Sequence, residues 1–302
     1  PPLDSIREAD GMTLRVALGG KPNFRPEGGT LGRQLVLDSP ILQPQQLQQM
    51  LCAGDQLRVE QVETLYVLNP QDRAQSQANL EVALERVCSH VEALARSRCD
   101  IIVLSDQNLA RDNAAIPAVL TIAAVNQRLI KQGLRFSSSV VYATGQAAST
   151  HDIAVLLGFG ASAIVPLTVY HRALELFSSD AEVQVGLNKF QKAVEKSLMK
   201  TMGKFGLCTV ESYIGGEFFE ANFIDTNDTQ LRNIFPNIHS PVGGARFTDI
   251  AGSSFEWHLK LFDVSDEKQI PLLGLFKERS EGAGHSFGNT AVREYIGMTE
   301  EE

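Results

Sequence analysis

One stretch constrains the fold of this chain more than any other: Ser137 to Leu167, SSSVVYATGQAASTHDIAVLLGFGASAIVPL, which changes hydrophobic period twice within about thirty residues. Ser138 to Ala143 is a short β-branched run followed by turn residues, the pattern of a buried strand. From Ser149 the period becomes helical, with Ile153, Leu156 and Leu157 on one face and Ser149 or Thr150 placed to cap the first turn. Gly158 closes that helix, and Ala163 to Leu167 is again a short apolar run with a proline near its end. The unit is strand, helix, parallel strand. Gly158, Gly160 and Ala163 also spell G-x-G-x-x-A, the outline of a dinucleotide-binding turn. Their order is reversed for that role. The fingerprint must follow a strand and open a helix, whereas these glycines follow a helix and open a strand, so helix termination explains them.

Similar units flank this one. A strand at Val62 to Leu68 and a turn at Asn69-Pro70 lead into a helix from Ala78 to Arg96, whose Leu80, Leu84, Val87, Val91 and Leu94 make one apolar face. Asp100 to Ser105 is the next strand. Pro117 opens a helix to Gln132, with Gly133 just past its end. A further helix runs from Val183 to Met202, carrying Leu187, Phe190, Val194 and Leu198 on one face and a solvated row of Lys189, Lys192, Lys196 and Lys200. Cys208 to Tyr213 is a fifth strand candidate, Ile214-Gly215-Gly216 a turn, and Glu217 to Asn222 a short helix. Such alternation predicts an α/β domain with mainly parallel strands, as a partial or complete β/α barrel. A doubly wound open sheet also fits, because periodicity fixes the units and not their closure.

The ends are less regular. Pro1 to Gly29 contains GGKPNFRPEGG and reads as an irregular arm outside the core. Asp38-Ser39-Pro40 is a turn and Pro44 to Leu51 a short helix. After Asp225 the alternation fades into a helical patch from Asp249 to Leu261 and a glycine-rich tail, 278–293. The predicted organisation is therefore an arm and lead-in segment at 1–55, a main α/β domain at 56–247, and a connecting segment at 248–302.

Composition excludes several classes of function. A net charge of −9 over 302 residues offers no basic face for nucleic acid, and no apolar run approaches the ~18 residues of a membrane span, so a cytoplasmic protein is expected. Cys52, Cys88, Cys99 and Cys208 are widely spaced and form no metal-ligand cluster, so buried, reduced thiols are expected. The chain opens on Pro1-Pro2 without methionine, as expected of a processed chain or a piece of a larger polypeptide. No P-loop, G-x-S-x-G or paired histidines occur, and no catalytic, cofactor or metal residue is assigned. The polar groups best placed for a coupling or strand-end role are Asp106, Glu211, Ser212, Gly215, Gly216 and, in GAGHSFG, His285. An acid after a strand serves equally as a cap.

PPLDSIRE, RQLVLDSPIL at Arg33 to Leu42, DIIVLSD at Asp100 to Asp106, LLGFGASAIVP at Leu156 to Pro166 and KFGLCTVESYIGGEFFEA at Lys204 to Ala221 resemble, in consistent order, the central domain of the glutamate synthase large chain. PVGGARF at Pro241 to Phe247 is similar to the family's passage out of that domain, and the remainder of the chain resembles the approach to its flavin-binding barrel. The resemblance implies an oxidoreductase that releases ammonia from glutamine in an amidotransferase domain and passes it to an FMN-containing synthase domain. There it combines with 2-oxoglutarate and is reduced to glutamate. FMN and a 3Fe-4S cluster are implied for the intact enzyme and neither for this segment, which is expected to be inactive alone. Implied partners are the flanking amidotransferase and synthase domains and an electron-donor subunit or ferredoxin, with no nucleic acid and no membrane. The family pattern around Thr144 to His151 usually carries a carboxylate and paired histidines, where this chain has TGQAASTH. The competing class is an independent small-molecule-binding or lyase-type β/α barrel, which would need Asp106, Glu211 and a basic partner to converge on one pocket. A purely structural partner-binding module would instead show apolar surface where neighbouring domains sit.

Overall fold

A computed structural model describes residues 8–22, 33–52, 54 and 56–263. The chain divides into two units, Pro1–Lys260 and Leu261–Glu302, and the architecture is that of the first. His285 and the 278–293 tail lie outside the described residues.

The chain enters through a single helical turn, α1 (Glu8–Gly11), and an antiparallel pair, β1 (Val16–Gly19) with β2 (Gln34–Leu37). Helix α2 (Pro44–Leu51) comes next, and then the alternating region begins. It comprises β3 (Val59–Glu63), β4 (Leu65–Val67), α3 (Arg73–Arg96), β5 (Ile101–Ser105), β6 (Asn113–Ala115), α4 (Ala118–Lys131), β7 (Ser139–Thr144), α5 (Thr150–Gly158) and β8 (Ala163–Pro166). Two helices complete the packing, α6 (Leu167–Leu176) and α7 (Asp180–Phe205). Shorter pieces close the unit: α8 (Val210–Tyr213), β9 (Phe223–Ile224), α9 (Thr229–Ile234), β10 (Gly244–Ala245) and α10 (Phe247–Asp263).

The central sheet has four parallel strands in the order β3-β5-β7-β8, with Val62, Leu104 and Tyr142 in one row across it. This order runs in chain sequence without reversal. A doubly wound sheet would reverse at a switch point, so the winding is of the β/α-barrel kind, seen here as a partial sheet. Every residue of β5, β7 and β8 is buried, as expected of parallel strands covered on both faces. Helix α3 packs on α4, and α4 on α5. Their starts follow from local chemistry. Asp72 accepts from the Gln75 N–H to cap α3, while Ser149 and Asp152 form a reciprocal capping box on α5. Gly206 ends α7 in the left-handed conformation at φ +73°. The α3–α4 contact carries a two-carboxylate clamp: Arg128 donates to both oxygens of Glu85 and lies 3.3 Å from Glu92. The Arg128 hydrogen bond is the main cause that holds the Glu85 carboxyl below its usual range.

The structure corrects the sequence reading at several points. Val62 to Leu68 is not one strand. The chain turns at Thr64, whose N–H bonds Ser105 O and whose carbonyl accepts from Ile116, so β4 leaves the main sheet and pairs antiparallel with β6. Cys208 to Tyr213 is not a fifth strand, because Val210 and Tyr213 are buried while Glu211 and Ser212 between them are exposed. That is helical spacing, and β-structure there is confined to one bridge between Thr209 and Thr13. Glu217 to Asn222 is not helical; Glu217 sits at φ +52° and the Ala221 N–H reaches across to His239 O. Leu167 belongs to α6 rather than to the preceding strand.

The N-terminal arm is corrected most. Met12, Leu14, Val16 and Leu18 are buried in the core. Leu35 and Leu37 of β2, Met50 of α2, and Val59 and Ile101 of the sheet line one cavity, which places the hairpin and α2 over that face of the sheet. The period of two from Met12 to Leu18 is present in the sequence, beside a glycine- and proline-rich stretch whose stronger signal hides it. If the arm is core, Leu18→Ala should destabilise the protein by ~2–5 kcal/mol in urea unfolding. A loss below ~0.5 kcal/mol, the range of surface substitutions, would show that the arm only rests on the sheet.

Candidate functional site

In parallel β/α folds, residues for chemistry are presented at the C-terminal ends of the strands. Asp106 follows β5 at that edge and is 2% exposed. Its Oδ2 accepts from Thr144 Oγ1 at 2.6 Å and from Gln146 Nε2 at 3.2 Å, while Oδ1 accepts from the Gly145 N–H at 2.9 Å. The network extends outward. Gln146 Nε2 also donates to Ile116 O, and its Oε1 accepts from Ala118 N–H, the first amide of α4. Thr168 at the start of α6 donates to Gly145 O at 2.6 Å. One carboxylate thus ties the end of β5 to the β7–α5 turn, and through Gln146 to the start of α4. Beneath it, burial first and the nearby Asp106 charge second push the Tyr142 phenol well above its ordinary pKa. Asp106 accepts three hydrogen bonds, which suits a buried cross-link.

Glu211 lies at the opposite edge. Its carboxylate accepts from Ala17 N–H at 2.8 Å and from Lys21 Nζ at 2.8 Å. It lines a cavity of about 460 Å³ together with Ser162, which immediately precedes β8, so this cavity opens at the N-terminal edge of the sheet. Asp106 and Glu211 therefore do not converge, and the pocket required by an independent barrel enzyme is not formed from them. The separation follows from Cys208 to Tyr213 being helical rather than a fifth parallel strand. Ser212 is exposed and its hydroxyl pairs with Thr209 at 2.8 Å. Gly215, at φ +71°, donates its N–H to Leu157 O and lines the Glu211 cavity. Gly216 is confined sterically, since a Cβ there would come 2.0 Å from the Phe218 ring. That ring stacks on Phe205, and Tyr213 and Phe219 extend the aromatic layer behind the turn.

Sequence reasoning missed Asn126 and Arg135, which share the Glu211 cavity. Asn126 sits in an otherwise apolar helix, and a buried amide in such a run was the available signal. Gly160, at φ +117°, packs against it so closely that a Cβ would lie 2.6 Å from the amide. The space over this glycine is filled by a side chain, so the G-x-G-x-x-A stretch offers no cradle for a cofactor phosphate. The cysteines do not gather either. Cys88 and Cys99 are buried, and burial pushes their thiols up to about 12 and about 11, whereas Cys52 and Cys208 are exposed, contrary to the expectation that all four are buried. Among the described residues no three His, Cys, Asp or Glu side chains are grouped to hold a metal, and no helix is long and apolar enough to cross a membrane. Among the described residues the cysteines do not form the group an iron-sulfur cluster needs.

The family model of the glutamate synthase central domain matches residues 1–224. The chain is 29% identical over 301 residues to the chloroplastic ferredoxin-dependent glutamate synthase of Oryza sativa subsp. japonica, covering 95% of this chain and 18% of that protein. It is 31% identical over 303 residues to the ferredoxin-dependent glutamate synthase of Cyanidium caldarium, covering 94% and 19%. Against the NADPH glutamate synthase large chain of Azospirillum brasilense it is 29% identical over 293 residues, covering 95% and 19%. The chain spans less than a fifth of the length of these relatives.

The two carboxylates should differ in what they hold. Asp106→Asn puts an amide donor against Gln146 Nε2 and should cost ~1–3 kcal/mol in urea unfolding. Glu211→Gln, in a partly exposed pair, should cost less than ~1 kcal/mol. The reverse order would contradict the assignment of Asp106 as the structural cross-link.

Proposed function

Because the chain belongs to the glutamate synthase central domain family, we propose that it is the connecting part of a glutamate synthase polypeptide and that it shapes the passage of ammonia between two active sites. On this reading 56–247 is the central domain proper, 1–55 the arm and lead-in segment that completes its core, and 248–302 the connection toward the FMN-binding synthase domain. The intact enzyme would release ammonia from glutamine, combine it with 2-oxoglutarate and reduce the product to glutamate, with FMN and a 3Fe-4S cluster held outside this segment. Its electrons would come from ferredoxin or a nicotinamide-dependent donor subunit, the two kinds of donor that the relatives' names carry. Alone, the segment would be inactive.

The observation that carries this reading is the use of Asp106, which accepts three hydrogen bonds that tie strand ends together. A domain with its own acid-base chemistry keeps a carboxylate within reach of a substrate proton. Here the best-placed carboxylate holds the turn after β7 to the end of β5 and to the start of α4. That use makes a stiff edge. Ammonia crossing between sites must stay un-ionised and out of bulk water, and rigid strand ends and short turns are better walls for it than mobile loops. The same stiffness would fix the relative placement of the flanking domains. A lyase-type barrel is less well supported, since Asp106 and Glu211 lie at opposite edges.

The turn at Ile214 to Glu217 offers a test in the intact enzyme. Gly215 occupies φ +71°, so valine there forces a different backbone path, and a Cβ on Gly216 would have to displace the partly exposed Phe218 ring. Gly215→Val and Gly216→Val should raise the ratio of glutamine hydrolysed to glutamate formed while the protein remains folded. An unchanged ratio in both variants would reduce the domain to a spacer.

A further inference from the structure

A second cavity, of about 250 Å³, lies along α5. His151, Val155 and Phe159 recur every four residues, so they share one face of that helix, and all three line the cavity. Val119 in the first turn of α4 and residues between Phe219 and Ile238 supply its other sides. Its aromatic wall is already assembled. The Phe159 and Phe219 rings stack with centroids 5.3 Å apart, and Phe235 meets Phe159 edge-on at the same separation. Gly158 permits the stack, since a Cβ there would lie 2.3 Å from the Phe219 ring. Around these rings Val119, Val155, Ala221 and Ile224 are only half-buried. The folded unit thus leaves apolar surface that a guest would remove from water.

Size and charge decide what such a guest is. A dry apolar cavity of about 150 Å³ holds one benzene ring, so the larger space here takes a ring with a short chain. The lining carries one carboxylate, Glu220, and neither lysine nor arginine. Among the described residues no cation pairs with that carboxylate. Phenylalanine faces are themselves the negative side of the ring quadrupole. The positive end of α5 does not reverse this balance, because Asp152 sets a carboxylate in the first turn of that helix. The other polar side chains of the wall, His151 and Thr226, can each accept a hydrogen bond. Acceptors and aromatic rings without a fixed cation favour a positively charged guest.

We propose that this cavity binds a compact organic cation, a single aromatic ring bearing a protonated amine, with the ring among the phenylalanines and the amine at Glu220. The polar rim sets orientation and the apolar wall supplies affinity, the usual division in small-molecule sites. Nothing in this inference depends on the passage of ammonia, so it stands or falls apart from the connecting role.

Phenethylammonium is the probe, titrated into the 302-residue chain by calorimetry and by following methyl resonances. Saturable binding is expected, with the Ile224 and Ile238 methyls among the signals that move. Phenylacetate, similar in shape and opposite in charge, should bind at least about tenfold more weakly, and neutral 2-phenylethanol should fall between the two. Glu220→Gln should weaken phenethylammonium by about tenfold and leave 2-phenylethanol unchanged. Absence of saturation would overturn the proposal. So would phenylacetate binding as tightly as phenethylammonium, or saturation that leaves the Ile224 and Ile238 methyls unmoved, two readouts that need no variant to fold.

Discussion

The buried carboxylate of Asp106 is the interaction on which the C-terminal edge of this unit depends. Parallel strands cannot be joined by tight hairpins, so each strand end must be held by its crossover or by side chains from its neighbours. Asp106 supplies the second means. It draws Thr144, Gly145 and Gln146 onto the end of β5, and Gln146 in turn satisfies the first amide of α4. Leaving those donors without the carboxylate would strand several buried polar groups at once. Charge-assisted bonds to a buried anion are also shorter and stronger than neutral ones, as the 2.6 Å contact from Thr144 reflects.

The two edges of the sheet are consequently different in kind. At the C-terminal edge the polar groups close on one another. At the N-terminal edge, Asn126 keeps an unused donor and Arg135 a charge without a carboxylate partner. The difference traces to where the chain places its acids. Asp106 is delivered by a strand into the middle of the sheet, whereas Glu211 rides on a short helix beside the hairpin and is met there by Lys21 and the Ala17 amide. A domain built in this way has its strand ends tied to one another by hydrogen bonds.

Much of this was legible in the sequence, because the winding is written in local signals. The βαβ unit from Ser138 to Leu167 appears as β7, α5 and β8, with Ser149 as cap and the glycines after α5 ending the helix rather than opening one. The helices at Pro44, Ala78, Pro117 and Val183 are legible by period, although α3 and α7 extend a turn beyond the apolar stripe because Asp72 and Ser179 cap them earlier. What escaped was set by tertiary partners. Six residues, Cys208 to Tyr213, satisfy a strand or a helix equally well, and only burial of Val210 with Tyr213 decides. Thr64 reads as mid-strand until β6 is there to divert it. Asp106 announced itself by position, but its role as cross-link rather than reactive group depends on a glutamine forty residues on. Arg135 and Asn126 belong to no motif, and their meeting is visible only once the loop after α4 folds back on that helix.

The central claim is that the strand-end turn after β7 is as firmly held as the sheet itself, which is what the proposed connecting role demands. Amide hydrogen exchange resolved at Gly145 and Gln146 measures this directly, since the Gly145 N–H is given to Asp106 Oδ1 and the Gln146 N–H to Thr144 Oγ1. Both amides should exchange only with the opening that releases β5 and β7, sharing their protection. Exchange of these two amides at the rate of an open loop, while the strands stay protected, would show that the turn moves freely and would contradict the account.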